Sequence, residues 1–376
     1  LLRLNVLDNH IINIRSEVDN WLQSFNEAIS QQNSKDESIK ILSNLFFEDS
    51  HWRDILALTW KIQTVSGKSK VIENLYNKIM DVSAKSFQID QQRTLPREVI
   101  RAGKNVIEVI LRFKTKFGNC EGVVRLFEDQ ERKGSFKAWS LLTALSDLSS
   151  SDKKNNEQYQ NILEGPNWLD KRNEDRLYKN REPEVIVVGS GQAGLSIAAR
   201  LKQQNIDTLI VDKNERIGDN WRNRYHSLKL HNQTHVNHLP YMPFPSTWPT
   251  YIPKDKLAGW FEYYVESMEL NAWTNTKFIG AVYDENKKRW KVKLKLSDGT
   301  IKIMKPKHIV MAVGVSSVPN RTKIPGMDHY KGKVIHSADY ENGKHYNGKN
   351  VLVYGTGTSA HDVAQDLYVH GANVKI

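Results

Sequence analysis

The sequence predicts an α/β chain with two Rossmann-type units, preceded by a smaller α+β domain. Three observations carry that prediction. A buried-strand run, a glycine turn, a helical pattern, a second strand and an acid follow one another from Glu184 to Asp212. A second strand, glycine turn and helix start run from Asn350 to Leu367. Upstream of both, helical spacing gives way near Val106 to the alternation of antiparallel strands.

Taken in order, residues 12–31 show helical spacing through Ile14, Val18, Trp21, Leu22, Phe25 and Ile29. A second helix is expected over Ser38 to Phe47 and a third over Lys68 to Met80, with an aromatic-rich stretch to Trp60 between them. Strands are expected at Val106 to Phe117, Gly122 to Glu128 and Ser135 to Ala144, with turns at Gly118-Asn119 and Lys133-Gly134. This sets an α+β domain at 12–150. The polar stretch Leu148 to Glu157 opens a linker over 151–182. The first Rossmann-type unit is expected over 183–345. It includes a helix from Pro253 with Leu257, Trp260, Phe261, Tyr264, Val265 and Met268 on one stripe, a hairpin turning at Ser297-Asp-Gly299, and a strand at Ile309 to Gly314. The second unit occupies 346–376 and is expected to be incomplete, because the pattern stops at Ile376 inside its next strand. The start, Leu1-Leu-Arg-Leu-Asn-Val, lacks both an initiator Met and the apolar core of a signal peptide, so the natural start is expected elsewhere.

Composition narrows the function classes. With 376 residues the chain is long enough for two to three domains, and 39% hydrophobic with 26% charged residues suits a soluble globular protein. No apolar run approaches the roughly 20 residues of a membrane span. Cys120 is the only cysteine, which excludes internal disulfides and thiolate metal clusters and suits a reducing, cytoplasmic setting. Its place beside an apparent hairpin turn reads as structural. The net charge of +11 invites a nucleic-acid reading, yet the basic residues are interspersed with acids. Lys287 to Lys295 alternates as a strand with one solvated face does. Neither a nucleic acid nor a membrane is expected as a partner, although a positive field favours polyanionic cofactors.

The glycine turns carry the chemistry. Gly189 permits a tight turn, Gly191 lets the backbone approach a pyrophosphate, and Gly194 lets the helix pack on the strand. The helix N-terminus offers unpaired N–H groups and a positive dipole end, and Asp212 falls where a carboxylate accepts from ribose hydroxyls. Expected cofactor-binding residues are therefore Gly189, Ser190, Gly191, Gln192, Ala193, Gly194, Asp212 and Lys213. In the second unit they are Gly355, Thr356, Gly357, Thr358, Ser359 and Ala360, the last replacing the third glycine. Two such turns in one chain imply two dinucleotides, one flavin and one nicotinamide. A metal site at His231, His235 and His238 rests on spacing alone, without an acidic or thiolate partner, so no metal is expected. Ser359, His361 and Asp362 are neighbours at a helix start and cannot form a relay.

Two resemblances add to this reading. Leu45-Phe-Phe-Glu-Asp-Ser-His-Trp-Arg-Asp54 and Lys137-Ala-Trp-Ser-Leu-Leu-Thr-Ala144 resemble the SnoaL-like, or nuclear-transport-factor-like, cone fold. That resemblance makes His51 and Asp54 catalytic candidates, against the preferred reading that they hydrogen-bond at a helix-to-strand corner. It also implies a domain that assists dimerisation, packs on the flavin domain or shapes access to its site. Further on, Tyr330-Lys-Gly-Lys-Val-Ile-His-Ser-Ala-Asp-Tyr340 is similar to the FxGxxxHxxx(Y/F/W) fingerprint of class B flavoprotein monooxygenases, with Tyr330 in place of Phe. Together with the two glycine turns, Gly218-Asp-Asn-Trp221 and Ala312-Val-Gly314, that similarity covers residues 167 to 376. Leu228-Lys-Leu-His231 and Met242-Pro-Phe-Pro245 resemble the YUCCA-like branch. Animal flavin-containing monooxygenases carry an Asn where His231 aligns, and Asn232 is one position off.

The second resemblance implies FAD at the first turn and NADPH at the second, with Gly218, Asn220, Trp221 and Gly314 joining the cofactor residues. His231, Asn232 and His336 become the catalytic-site candidates, His336 by structuring the link between the nucleotide domains. The implied reaction forms a C4a-(hydro)peroxyflavin and puts one oxygen atom of O2 into a small organic substrate. That substrate is a 2-oxo acid or carbonyl of the indole-pyruvate type, or a nitrogen or sulfur centre. The alternatives are an NAD(P)H:flavin reductase or oxidase without oxygen transfer, and a truncated non-catalytic flavoprotein module. A disulfide reductase is excluded by the single cysteine. The region that selects NADPH over NADH is expected beyond Ile376, and a homodimer is compatible with the pattern.

Overall fold

The structure is a computed structural model describing residues 2–30, 32–129, 135–149, 167–315 and 317–376, with side chains from residue 14 onward. It divides into two compact units, Leu1–Asp152 and Lys153–Ile376. Half of the expected linker, residues 151–166, and the turn expected at Lys133-Gly134 lie outside the described residues.

The N-terminal unit contains α1 (Leu2–Ala28), α2 (Lys35–Leu45), β1 (Phe46–Ile55), β2 (Ile62–Ser66), α3 (Lys68–Asp81), β3 (Lys85–Ile89), β4 (Arg97–Arg101), β5 (Lys104–Thr115), β6 (Gly118–Glu128) and β7 (Phe136–Leu148). Its sheet runs β2-β1-β7-β6-β5-β3, with β4 also pairing β5. The α2 helix starts earlier than its apolar spacing suggests because Ser34 and Glu37 form a capping box. Glu37 N–H donates to Ser34 Oγ, and Ser34 N–H donates to the Glu37 carboxylate. The stretch read as a corner, Glu48 to Asp54, is instead the middle of β1, parallel to β7. The β5–β6 turn falls at residues 116–117, since Thr115 pairs with Gly118, rather than at Gly118-Asn119. Gly118 is needed for another reason: a Cβ there would lie 1.8 Å from the Asp147 carbonyl oxygen on β7. Helices and sheet close over Trp21, Phe25, Phe46, Trp52 and Phe87, and Cys120 lies in the same core. Burial raises the Cys120 thiol pKa to about 11, which leaves it an inert packing residue.

The second unit contains α4 (Trp168–Leu177), β8 (Val185–Val188), α5 (Gln192–Gln203), β9 (Thr208–Val211), α6 (Asp219–Arg222), α7 (Lys254–Ser267), β10 (Asn271–Trp273), β11 (Lys277–Asp284), β12 (Arg289–Lys295), β13 (Ile301–Met304), β14 (His308–Met311), β15 (Asn350–Leu352), α8 (Thr358–Val369) and β16 (Asn373–Lys375). A parallel sheet β10-β9-β8-β14 forms its centre, with an antiparallel sheet β11-β12-β13 and a parallel pair β15-β16. Every residue of β8 and β9 is buried, as a parallel sheet covered on both faces requires. The alternation of β8 divides the cores. Val185 and Val187 face Leu195, Ala198, Leu257 and Phe261 of α5 and α7, while Ile186 and Val188 face Val292, Leu294 and Met304 of the antiparallel sheet. The α4 helix guards the β10 edge: Arg172 donates to the Leu270 carbonyl and to Asn271, and Trp273 Nε1 donates to the Arg176 carbonyl at 2.7 Å. Among the described residues no helix is long and apolar enough to cross a membrane.

Candidate functional site

The chain leaves β8 through Gly189, whose φ of +107° is costly for a residue with a Cβ. A Cβ at Gly189 would lie 2.4 Å from the Ala312 carbonyl oxygen, and one at Gly194 would lie 1.8 Å from the Gly189 carbonyl oxygen. These two glycines therefore hold α5 against the ends of β8 and β14. Gly191 differs. It is extended, it caps α5 without a side-chain hydrogen bond, and a Cβ there would meet only Asn220 Nδ2, at 3.2 Å. The result is a concave turn opening on a helix N-terminus whose first N–H groups have no side-chain cap, an arrangement that receives anions.

The cradle is fixed from two sides. Ser190 donates its N–H and its hydroxyl to Asp212 Oδ2, both at 2.7 Å, and Asn214 N–H donates to Asp212 Oδ1 at 2.8 Å. Asp212 is buried and pins the glycine turn to the end of β9, a role that the expectation of a ribose contact did not include. On the other side, Gly218 has φ +88°, and a Cβ there would lie 2.5 Å from the Ala258 carbonyl oxygen, so α6 stacks tightly on α7. This brings Asn220 against Gly191 and lets Trp221 Nε1 donate to Gln192 Oε1 at 3.3 Å. Buried Asp219 accepts from Arg216 N–H at 3.0 Å and pairs with Arg222, whose guanidinium also meets Glu262 at 3.3 Å. Lys213 is exposed, and Gly314, at φ +80°, follows β14 beyond Ala312.

The second turn is more open. Gly355 has φ +136°, Gly357 caps α8 without a side chain, and residues 354–358 are exposed. A Cβ at Gly355 would meet only the Ala360 Cβ, at 4.0 Å, so this turn is less tightly packed than the first. His231 Nε2 faces Asp362 of α8 at 3.4 Å, and the Tyr225 hydroxyl donates to the same carboxylate at 2.6 Å. Burial, and next the Asp362 carboxylate, raise the Tyr225 pKa and keep its proton in place. Asn232 is exposed and offers its carbonyl to Asn237 Nδ2 at 3.1 Å. His336 caps a short turn, its Nδ1 accepting from Ala338 N–H at 3.0 Å. His238 is occupied by the Phe244 N–H at 2.9 Å. Tyr225, Asp362, Tyr340 and Asp366 were not singled out from sequence as partners. Only the spacing of the two aspartates on one helical face could have suggested them.

In the N-terminal unit, His51 Nδ1 lies 2.8 Å from Ser66 Oγ across the β1–β2 pair. Buried Asp54 accepts from Leu58 N–H, Thr59 N–H, the Thr59 hydroxyl and the Thr143 hydroxyl, holding the loop after β1. A hollow of about 550 Å³ at Phe47, Lys104, Phe127 and Phe136 includes neither His51 nor Asp54 in its lining.

Residues 186–376, half of the chain, match the family model described as pyridine nucleotide-disulphide oxidoreductase. The chain belongs to that family. Over 193 residues it is 35% identical to the probable indole-3-pyruvate monooxygenase YUCCA3 of Arabidopsis thaliana, a match spanning 50% of this chain and 44% of that protein. Over 191 residues it is 31% identical to the indole-3-pyruvate monooxygenase YUCCA1 of Oryza sativa subsp. japonica, spanning 50% of this chain and 46% of that protein. The chain thus spans about half the length of the curated relatives it matches. Among solved structures, the flavin-containing monooxygenase from Stenotrophomonas maltophilia matches 51% of this chain and 56% of its own at 21% identity, with a TM-score of 0.46. Flavin monooxygenases of this family use FAD and NADPH. The first cradle fits a dinucleotide, since Gly191 leaves open the space a Cβ would fill at an uncapped helix end. The family portion of the chain contains no cysteine, so it holds no redox dithiol.

Proposed function

We propose that this protein is an FAD- and NADPH-dependent monooxygenase that inserts one atom of O2 into a small organic substrate. Residues 183–345 serve as the FAD-binding domain and 346–376 begin the NAD(P)H-binding domain. Residues 12–150 form a SnoaL-like domain that assists dimerisation or shapes access, joined by the 151–182 linker in a cytoplasmic protein. The observation that carries the reading is the first cradle: Gly191 beneath Asn220, with Asp212 clamping Ser190, at the open N-terminus of α5. Kinship with proteins named indole-3-pyruvate monooxygenases favours a 2-oxo acid or related carbonyl over nitrogen or sulfur oxygenation.

In this reading the α5 amides and helix dipole hold the flavin pyrophosphate, approached across Gly191, while Gly189 and Gly194 keep the helix seated. Asp212 orients the turn through Ser190 and retains lone pairs for a ribose hydroxyl. Lys213, Gly218, Asn220, Trp221 and Gly314 complete the first site. Gly355, Thr356, Gly357, Thr358, Ser359 and Ala360 present the α8 N-terminus to NADPH. Bound flavin supplies the electron transfer and oxygen activation that side chains cannot. His231 and Asn232 stand on the segment between the two nucleotides, and His336 shapes the connection. The test is the visible spectrum of the purified protein after incubation with FAD and desalting. Retained flavin that NADPH bleaches, with oxygenated product formed in step with NADPH consumption, supports the proposal. Bleaching without oxygen transfer turns it into a flavin reductase, and failure to hold flavin rejects the assignment of the first cradle.

A further inference from the structure

Asp362 and Asp366, one turn apart on α8, each accept a tyrosine hydroxyl at 2.6 Å. The two contacts differ in their surroundings. Tyr340, from the segment before β15, is 4% exposed and packs with Val363, Leu367 and Ala372. Its acceptor Asp366 also takes the Gly343 N–H at 2.8 Å, and a Cβ at Gly343 would lie 2.6 Å from the Asp366 carbonyl oxygen. That contact is closed on all sides. Tyr225 reaches α8 from a different segment, the one that follows α6. Its ring is buried in the same cluster, yet its acceptor Asp362 is 27% exposed and shares its carboxylate with half-exposed His231.

We propose that Tyr225, Asp362 and His231 form a releasable latch that sets the angle of α8 against the first cradle, with Tyr340 and Asp366 as its fixed pivot. The inference rests on the reading of α8 as the helix that receives the second dinucleotide. The two carboxylates stand roughly 6 Å apart along the helix axis, at about 1.5 Å of rise per residue. Release of the N-terminal one therefore tilts the end of α8 that faces the nucleotide while the C-terminal half stays packed. The Tyr225–Asp362 hydrogen bond is part-buried and the Tyr340–Asp366 one buried, and the former opens at lower cost because water reaches its acceptor. Tyr225, Asp362 and His231 are thus positioning residues, which bring two bound nucleotides to a working separation without touching either.

The test compares Tyr225→Phe, Asp362→Ala, Asp362→Asn and Tyr340→Phe. Each tyrosine variant keeps its ring in the cluster and loses only the hydroxyl, which at Tyr225 also meets Ser359. In hydrogen exchange without nucleotide, Tyr225→Phe and Asp362→Ala are expected to speed exchange at residues 361–366 by about tenfold, the loss of one charge-assisted hydrogen bond, with Tm lowered by only a few degrees. Asp362→Asn, which keeps a carbonyl acceptor, stays near the unmodified protein. Tyr340→Phe speeds exchange along the whole of α8 and lowers Tm. In the full-length protein loaded with FAD, Tyr225→Phe lowers the limiting rate of bleaching by NADPH by about tenfold or more, while half-saturation moves far less, since a misplaced but intact site loses rate before affinity. The latch is overturned if α8 exchange is unchanged in Tyr225→Phe, if Asp362→Asn is as damaging as Asp362→Ala, or if only half-saturation moves. Should the unmodified protein hold no flavin, the functional reading fails on its own, and the exchange comparison still decides the latch.

Discussion

Gly194→Ala sets two effects of opposite sign against each other. Alanine in a helix interior is favoured over glycine by about 1 kcal/mol. Against that gain, the new Cβ would sit 1.8 Å from the Gly189 carbonyl oxygen and 3.4 Å from the Ala312 Cβ. The first neighbour is backbone at the end of a wholly buried strand, so relief requires α5 to move off β8 by more than an ångström. Overpacking of this kind typically costs about 1–3 kcal/mol, and a backbone clash this short belongs at the upper end, so after the helix gain the net is destabilising by about 2 kcal/mol. In a unit of this size that is a fall of roughly 4–8 °C in Tm. Gly191→Ala is the matched control: φ is −75°, and the nearest atom is the end of the Asn220 side chain, at 3.2 Å. Its stability should change by less than about 1 kcal/mol. Both variants should lose FAD, Gly194→Ala because the cradle is displaced and Gly191→Ala because the new methyl occupies the approach to the pyrophosphate. Urea unfolding of the protein without FAD, followed by flavin retention after desalting, separates the two. Equal stability for both variants, or a stable Gly194→Ala that keeps its flavin, refutes the division of labour among the three glycines.

Asp212→Asn leaves one acceptor oxygen where the carboxylate served Ser190 twice and Asn214 once. A loss of about 1–3 kcal/mol in unfolding free energy and weaker FAD retention are expected, measured by chemical denaturation and flavin titration. Asp54→Ala removes the acceptor of several buried donors in the N-terminal unit and should cost about 3 kcal/mol or more in denaturation without changing flavin binding. Cys120 should resist iodoacetamide at pH 8 until the protein is unfolded by guanidinium, as read by mass spectrometry. Because burial raises this acid's pKa from 9.0 to about 11, its contribution to stability is complete below pH 9 and lost as pH rises through about 11. Cys120→Ala should remove that part of the alkaline decline in Tm.

The elements legible in the sequence are those whose signal is local. The first glycine turn, the helix begun by Pro253 and the hairpin about Ser297-Asp-Gly299 all stand where residue types and spacing put them. The short strands β2, β3 and β4 escaped because five residues carry too little alternation to separate a strand from a loop. Gly118 looked like a turn residue, but its need for glycine comes from β7, which lies beside it only in the folded sheet. The function of Asp212 as a clamp on Ser190 was hidden for the same reason. Position along the chain shows an acid at the end of a strand but not which donors fold back upon it. Tyr225 and Asp362 are 137 residues apart, and no local pattern announces such a pair.

The contacts that surround the first cradle have a further consequence for binding. Its geometry is set by groups that are already satisfied by protein: Ser190 on Asp212, Gly218 against Ala258, Arg216 on Glu262 at 3.0 Å, and Arg222 between Asp219 and Glu262. A turn held this way loses little conformational freedom when a dinucleotide enters, so more of the interaction energy appears as affinity. The surface pairs among them are individually weak, yet they converge on a four-residue helix too short to hold its own direction. Their joint effect is to aim Asn220 and Trp221 at the mouth of the turn, while the glycines beneath keep α5 in place. Binding and packing are therefore separable here: the groups that face the open turn are Gly191, Gln192 and Asn220, and the groups that hold them there are buried or paired elsewhere.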